Sequence, residues 1–177
     1  LSYQIDQIII EEKKISKRVK ELGKEISKDY RELNPLLVCI LRGAVVFLSD
    51  LIREIDIPVE IDFMAVSSYG SSTKTSGVVR ILKDLNENIQ NRHVILVEDI
   101  VDTGLTLNYL MKNLQEREPA SLTICSFLLK ESKQKVHLDI KYLGFSIPDY
   151  FVVGYGLDYA QKFRNLPYVA SVKKVNP

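Results

Sequence analysis

The sequence predicts an open α/β fold, in which a mainly parallel sheet is covered by helices on both faces. Two patterns predict it. Short, continuous apolar runs rich in β-branched residues recur along the chain, and stretches with apolar residues at three- and four-residue steps fall between several of them. A strand buried on both faces has no wet side, so it reads as an unbroken apolar run, and strands that alternate with helices imply parallel pairing. The size agrees: 177 residues, 46% hydrophobic and 27% charged, make one compact domain with a core of its own.

The first element is a helix over 11–30. Ile15, Val19, Leu22 and Ile26 recur at helical spacing, which leaves one buried stripe and one solvated face. Asn34-Pro35 breaks that pattern, and LLVCIL, starting at Leu36, reads as a buried strand. Arg42-Gly43 then marks a tight turn into a second helical pattern that runs to Ile55. Pro58 opens a second strand, VEIDFMAV, in which Val59, Ile61, Phe63 and Ala65 alternate with more polar neighbours. The loop SSYGSSTKTSG separates it from another strand candidate, VVRILKDL. VILV from Val94, LTICSFLL from Leu122 and FVVG from Phe151 complete the set, with a helix over 106–116 between the first two.

Charge and composition narrow the partners. Lys and Arg total 24 against 23 Asp and Glu, so the net charge of +1 provides no bulk attraction to nucleic acid or to an acidic membrane. Any ionic partner is recognised locally. No apolar stretch is long enough to span a bilayer, and LSYQIDQIIIEEKK places its apolar residues ahead of its charges, unlike a secretory signal, so a cytoplasmic location is the expectation. Cys39 and Cys125 lie in apolar, strand-like runs with no CxxC pair and no His at ligand spacing, and both read as buried thiols. His93 precedes a strand and His137 lies in the charged segment KQKVHLDIK, which argues against catalysis by either.

In open α/β sheets ligands bind beyond the carboxyl ends of the strands. That rule directs attention to Arg42-Gly43, to 98–106 and to the residues after Leu129. The densest chemistry is in HVILVEDIVDTGLTLNYL, where Glu98, Asp99 and Asp102 crowd at a strand end before a helix begins. Unpaired N–H groups at that helix start carry the positive end of the helix dipole and form a cradle for phosphate. Thr103 and Thr106 add hydroxyls, and Gly104 lets the backbone approach an anion. The pattern GxxxxGK[ST] and the three-glycine dinucleotide pattern are both missing, so the acids serve another purpose. Neighbouring carboxylates can accept hydrogen bonds from a vicinal diol and hold magnesium through water, as around a ribose whose 5-phosphate rests on the amides. Asp102 is a plausible helix N-cap, but a cap accounts for one acid and not for three followed by Thr-Gly.

VILVEDIVDTGLTL resembles the phosphoribosyl-diphosphate-binding motif of type I phosphoribosyltransferases, and VEDIVDTG is the form found in the hypoxanthine-guanine members. LLVCILRGAVVFLSDL, AVSSYGSSTKTSG, FLLK and IPDYFVVGYGLDYAQKFRNLPYV resemble that subfamily's other signatures, in the same order, over nearly all of the chain after the first helix. The resemblance implies the type I phosphoribosyltransferase fold as a single domain over 1–177, with a small hood formed by the N-terminal segment and part of the C-terminal region. It also implies a purine salvage reaction, in which 5-phosphoribosyl passes from phosphoribosyl diphosphate to hypoxanthine or guanine. Mg2+ is the implied cofactor and a homodimer or homotetramer the implied assembly.

Residue by residue, the resemblance assigns the 5-phosphate to the amides of Asp102, Thr103, Gly104, Leu105 and Thr106, with Leu105 standing where relatives carry Lys or Asn. Glu98 and Asp99 would face the ribose hydroxyls and hold magnesium, and Asp158 would bind a second magnesium on the pyrophosphate side. Asp102 would act as general base, sharing the proton at N7 of the purine as N9 attacks C1 of the ribose. Arg42, Gly43 and Arg164 would bind pyrophosphate, and a non-proline cis peptide is implied at Leu41-Arg42. Lys130 would donate to O6, which accepts a 6-oxo group and leaves a 6-amino group badly paired. Phe151 would stack on the base, the Val152 backbone would read its edge, and Asp158 would serve the 2-amino side. SSYGSSTKTSG would be a lid, with Ser68 and Tyr69 touching the diphosphate when closed. The competing reading is a regulator that binds nucleic acid; it calls for a basic surface, and the purine-pocket residues Lys130, Phe151 and Asp158 speak against it.

Overall fold

The computed structural model describes residues 2–68 and 79–175. Among these the chain runs β1 (Ser2–Ile10), α1 (Glu12–Asp29), β2 (Leu36–Leu41), α2 (Val45–Glu54), β3 (Glu60–Ser68), β4 (Val79–Lys83), β5 (His93–Val101), α3 (Leu105–Gln115), β6 (Ser121–Leu129), a 3₁₀ turn (Glu131–Lys133), β7 (Tyr142–Ser146), β8 (Val152–Val153) and β9 (Val169–Val175). Six strands form one sheet in the order β4-β3-β2-β5-β6-β7. Every neighbouring pair in it is parallel except β3 with β4. The open, mainly parallel sheet is therefore as expected.

The unbroken apolar runs are explained by two cores. Alternate residues of a strand point to opposite faces. Leu37, Cys39, Ile95, Val97, Cys125 and Phe127 join Val19, Leu22, Phe47 and Leu51 of α1 and α2 on one side. Leu36, Val38, Val94, Leu96 and Ile124 join Leu107, Leu110 and Leu114 of α3 on the other. Every position of β2 from Leu36 to Ile40 is buried, so no polar alternation could survive there. Both cysteines are buried free thiols.

Three strands, β1, β7 and β9, were not expected from the sequence. β1, β9 and β8 make a separate antiparallel sheet in that order, and β7 extends the edge of the large one. β1 escapes pattern reading because its pairing shifts register between Ile5 and Gln7 and again between Ile8 and Ile10, which breaks the alternation of faces. FVVG contracts to Val152–Val153, and VILV extends through the acids to Val101. Among the described residues no helix is long and apolar enough to cross a membrane.

The sheet order matters for the site because β2, β5 and β6 are adjacent and parallel, so their carboxyl ends lie side by side. The Lys130 N–H donates to the Val101 carbonyl at 2.9 Å, tying two of those ends together. The loop SSYGSSTKTSG falls mostly outside the described residues, Tyr69 included; only Ser67 and the Ser68 backbone, at the end of β3, belong to them.

Candidate active site

Glu98 and Asp99 occupy consecutive positions near the end of β5. Burial pushes the Glu98 carboxyl well above its ordinary range, and the Asp99 charge beside it adds to the shift. Its Oε2 is closed off from solvent and has no hydrogen-bond partner. Asp99 is pushed up to about 6, chiefly by burial, although its own Oδ1 accepts the Ile100 N–H at 2.7 Å and Arg164 opposes the rise. Two enclosed acids with so few donors are costly alone, and an arriving hydroxyl or cation would relieve both.

Gly43 makes room for them. A Cβ at this position would overlap Asp99 Oδ2 and lie 2.6 Å from its Cγ. The Leu41-Arg42 peptide is cis, as expected from the resemblance. From the other side Gly156 packs so closely that a Cβ there would overlap the Gly43 carbonyl oxygen. The turn after β2 is thus wedged between Asp99 and the loop 154–166.

That loop carries Asp158 and Arg164. Arg164 Nη2 pairs with Asp158 Oδ1 at 2.7 Å, and its Nη1 donates to the Gly156 carbonyl at 2.7 Å. Arg42 is exposed and donates from Nη1 to Gln161 Oε1 at 3.2 Å; Arg164 Nη2 donates to the same oxygen at 3.2 Å. Neither arginine is therefore a loose surface charge.

The turn into α3 differs from the capping expectation. Gly104, not Asp102, is the N-cap; its φ is +78°, and no side chain caps the helix. Asp102 cannot cap because it stands two residues too early, and its Oδ1 is enclosed without a partner. The turn is braced from behind: the Lys135 N–H donates to the Thr103 carbonyl at 2.9 Å, and a Cβ on Gly104 would come within 3.1 Å of the Val136 carbonyl oxygen. Thr103 Oγ1 accepts the Leu105 N–H at 3.4 Å, and Thr106 lies in the first turn of α3.

Lys130 follows β6 and is only 7% exposed, with its ammonium 3.5 Å from Asp149 Oδ1. Lys133 reaches the same oxygen at 3.0 Å and holds the Asp149 carboxyl below the usual carboxylate range. Phe151, at 55% exposure, is not part of the core; it stands edge-on to Tyr159, 5.7 Å between ring centres, and Tyr159 in turn contacts Tyr3 of β1 at 4.0 Å. The Val152 side chain is buried, and its residue pairs with Ser171.

Gly43, Asp158 and Arg164 thus gather around Asp99, and Arg42 joins them through Gln161. Sequence reading did not single out Gln161 and Asp149, although both lie within IPDYFVVGYGLDYAQKFRNLPYV; what they touch identifies them. Among the described residues no three His, Cys, Asp or Glu side chains converge as a metal cage. A cleft of about 450 Å³ between α1, α2 and the loop after Tyr155 shares only Arg164 with these residues.

Comparison with known proteins meets this geometry. The model of the phosphoribosyl transferase domain matches residues 7–160. The hypoxanthine-guanine phosphoribosyltransferase of Bacillus subtilis is 46% identical over 173 residues, covering 98% of this chain and 96% of the relative. The hypoxanthine phosphoribosyltransferase of Haemophilus influenzae is 49% identical over 168 residues, covering 93% and 94%. A crystal structure of the Staphylococcus aureus hypoxanthine phosphoribosyltransferase superposes with a TM-score of 0.92 at 44% identity, covering 96% of this chain and 92% of that one. By sequence and by fold, the chain belongs to the phosphoribosyltransferase family, within the group of the hypoxanthine-guanine enzymes.

Proposed function

We propose that this chain transfers the 5-phosphoribosyl group of phosphoribosyl diphosphate to hypoxanthine or guanine, forming IMP or GMP and pyrophosphate. Beyond family membership, the observation that carries the reading is the pair of enclosed, partnerless carboxylate oxygens, on Glu98 and Asp102, beside an uncapped helix start. Acids are kept this way where a ligand supplies the missing donors.

In this reading the amides of 102–106 hold the 5-phosphate, and Leu105 is tolerated because the backbone N–H is what the phosphate uses. Glu98 and Asp99 accept hydrogen bonds from the ribose diol. Purine N9 forms its bond to C1 as the bond from C1 to the diphosphate oxygen breaks. Asp102 takes or shares the N7 proton, a role that suits an enclosed carboxylate with one oxygen free. Arg42, Gly43 and Arg164 bind the departing pyrophosphate, joined by Ser68 and Tyr69 of the lid. Lys130, a buried ammonium, donates to O6 and disfavours a 6-amino group. Exposed Phe151 provides the stacking face, the Val152 backbone meets the base edge, and Asp158 serves the 2-amino side. The sheet β1-β9-β8 is the hood over this pocket.

Family membership supports a metal-assisted reaction, and Mg2+ is our assignment. The donor set fits: magnesium keeps several waters and uses one or two carboxylates together with substrate oxygens, so no three-ligand protein cage is needed. Glu98 and Asp99 would hold one ion, and Asp158 a second on the pyrophosphate side. When bound it supplies positive charge against the diphosphate. We place the enzyme in the cytoplasm as a homodimer or homotetramer. The exposed Val45, Ile61 and Leu82 on α2, β3 and β4 support a partner of the same kind.

The test is pyrophosphate release by purified protein with magnesium and phosphoribosyl diphosphate, comparing hypoxanthine, guanine, xanthine and adenine. Turnover of 6-oxopurines without adenine is expected. No release with any base, from protein that binds the sugar diphosphate, would overturn the reading.

A further inference from the structure

We infer that Gln161 is a positioning residue, whose side-chain oxygen sets the two arginines of the pyrophosphate site before substrate arrives. This rests on the function proposed above. Gln161 Oε1 accepts from Arg42 Nη1 and from Arg164 Nη2, each at 3.2 Å, and so joins two guanidinium groups that originate 122 residues apart at positions 42 and 164. Like charges brought together repel, and a shared neutral acceptor between them offsets part of that without adding negative charge that would oppose the diphosphate. The Gln161 backbone takes part as well, its N–H donating to Asp158 Oδ2 at 2.7 Å while Asp158 Oδ1 pairs with Arg164.

The local backbone is an independent sign. Tyr159 and Lys162 exchange both backbone hydrogen bonds, at 3.1 and 2.9 Å, closing a two-residue turn around Ala160 and Gln161. Their φ angles are +50° and +65°. Such turns ordinarily carry Asn-Gly or Asp-Gly, because left-handed backbone is unfavourable for residues with a Cβ. Ala-Gln is a poor choice for the turn alone. A side chain that reaches Arg42 and Arg164 gives a reason for Gln at the second position, and local strain of this kind gathers at sites.

The experiment compares the intact wild-type chain with Gln161→Met, which keeps length and loses the acceptor, and Gln161→Gly, which also removes the left-handed penalty. With magnesium present, KM for phosphoribosyl diphosphate is expected to rise about tenfold in both variants, with KM for hypoxanthine within about twofold of wild type. The thermal midpoint should be unchanged for Met and equal or higher for Gly. Pyrophosphate affinity, measured by calorimetry without turnover, should fall by the same factor. Unchanged pyrophosphate affinity in both variants overturns the role of Gln161, as does a rise in hypoxanthine KM that parallels a lower melting point. A wild type that binds pyrophosphate about tenfold more tightly than the Met variant, yet turns over no base, supports Gln161 and refutes the transfer reaction. Absence of pyrophosphate binding by the wild type overturns both.

Discussion

Asp99→Asn should make the ligand-free protein more stable while depriving it of substrate affinity. The carboxyl has an ordinary value of 3.8 and is pushed up to about 6 in the folded chain, mainly by burial. That difference corresponds to about 3 kcal/mol between the two protonation states. Between those two values the unfolded chain has released its proton while the folded chain still holds it. The unfolded state then binds fewer protons, so stability falls as pH rises through the window and levels off above about 6. Asparagine has no charge to bury, and its carbonyl oxygen can still accept the Ile100 N–H now bound by Asp99 at 2.7 Å. In a domain of 177 residues about 3 kcal/mol shifts the melting temperature by roughly 6–12 °C. Thermal melts of both proteins in EDTA, from pH 4 to pH 8, should show a gap that favours the variant, widens from about pH 4 to about pH 6 and stays level above it. Phosphoribosyl diphosphate with magnesium should raise the melting point of the wild type far more than that of the variant. A gap independent of pH, or a variant less stable at pH 8, would refute the claim that this charge is held at a cost.

Lys130→Met removes a buried ammonium and leaves Asp149 its 3.0 Å partner Lys133, so the fold should persist. Initial rates should show kcat/KM for hypoxanthine about a hundredfold lower, with KM for phosphoribosyl diphosphate little changed; equal damage to both substrates would count against a purine-reading role. Burial, reinforced by the Glu98 and Asp99 charges, pushes the Cys39 thiol up to about 12, and burial pushes Cys125 up too. A thiol-specific reagent at pH 8 should therefore label neither cysteine in the native protein and both after denaturation; native labelling would show that the sheet opens.

The helices were legible because each has one stripe at helical spacing: 11–30 became Glu12–Asp29 and 106–116 became Leu105–Gln115. The central strands were legible because burial on both faces leaves nothing but apolar side chains. β1, β7 and β9 were not. β1 and β9 pair across almost the whole chain with two register shifts, and information of that kind resides in the partner rather than in the strand. The acidic strand end and the turn into α3 could be placed from sequence because each requires particular residue types in a short span, whereas the cis peptide at Leu41-Arg42 was implied only by the family resemblance. Gln161 and Asp149 could not, since each is defined by a contact made over a long sequence separation. The capping account of Asp102, the lesser reading of the sequence, fails because Gly104 is the N-cap, and the enclosed, unpaired Asp102 oxygen is visible only in the structure.

The pairing of Ser2 with Val175 and of Ile10 with Val169 has a consequence for how the protein is made. At a synthesis rate of about 5–20 residues per second, β1 waits on the order of ten seconds for its partner to be translated. The large sheet can collapse during that interval, since β2 through β7 lie between them in the chain. Until β9 emerges, β1 is an unpaired edge with Ile8 half exposed, open to the wrong neighbour. The nascent chain can therefore complete the turn after β5 before it completes the β1-β9-β8 sheet, and a ribosome stalled short of residue 169 would carry the large sheet beside an unpaired first strand.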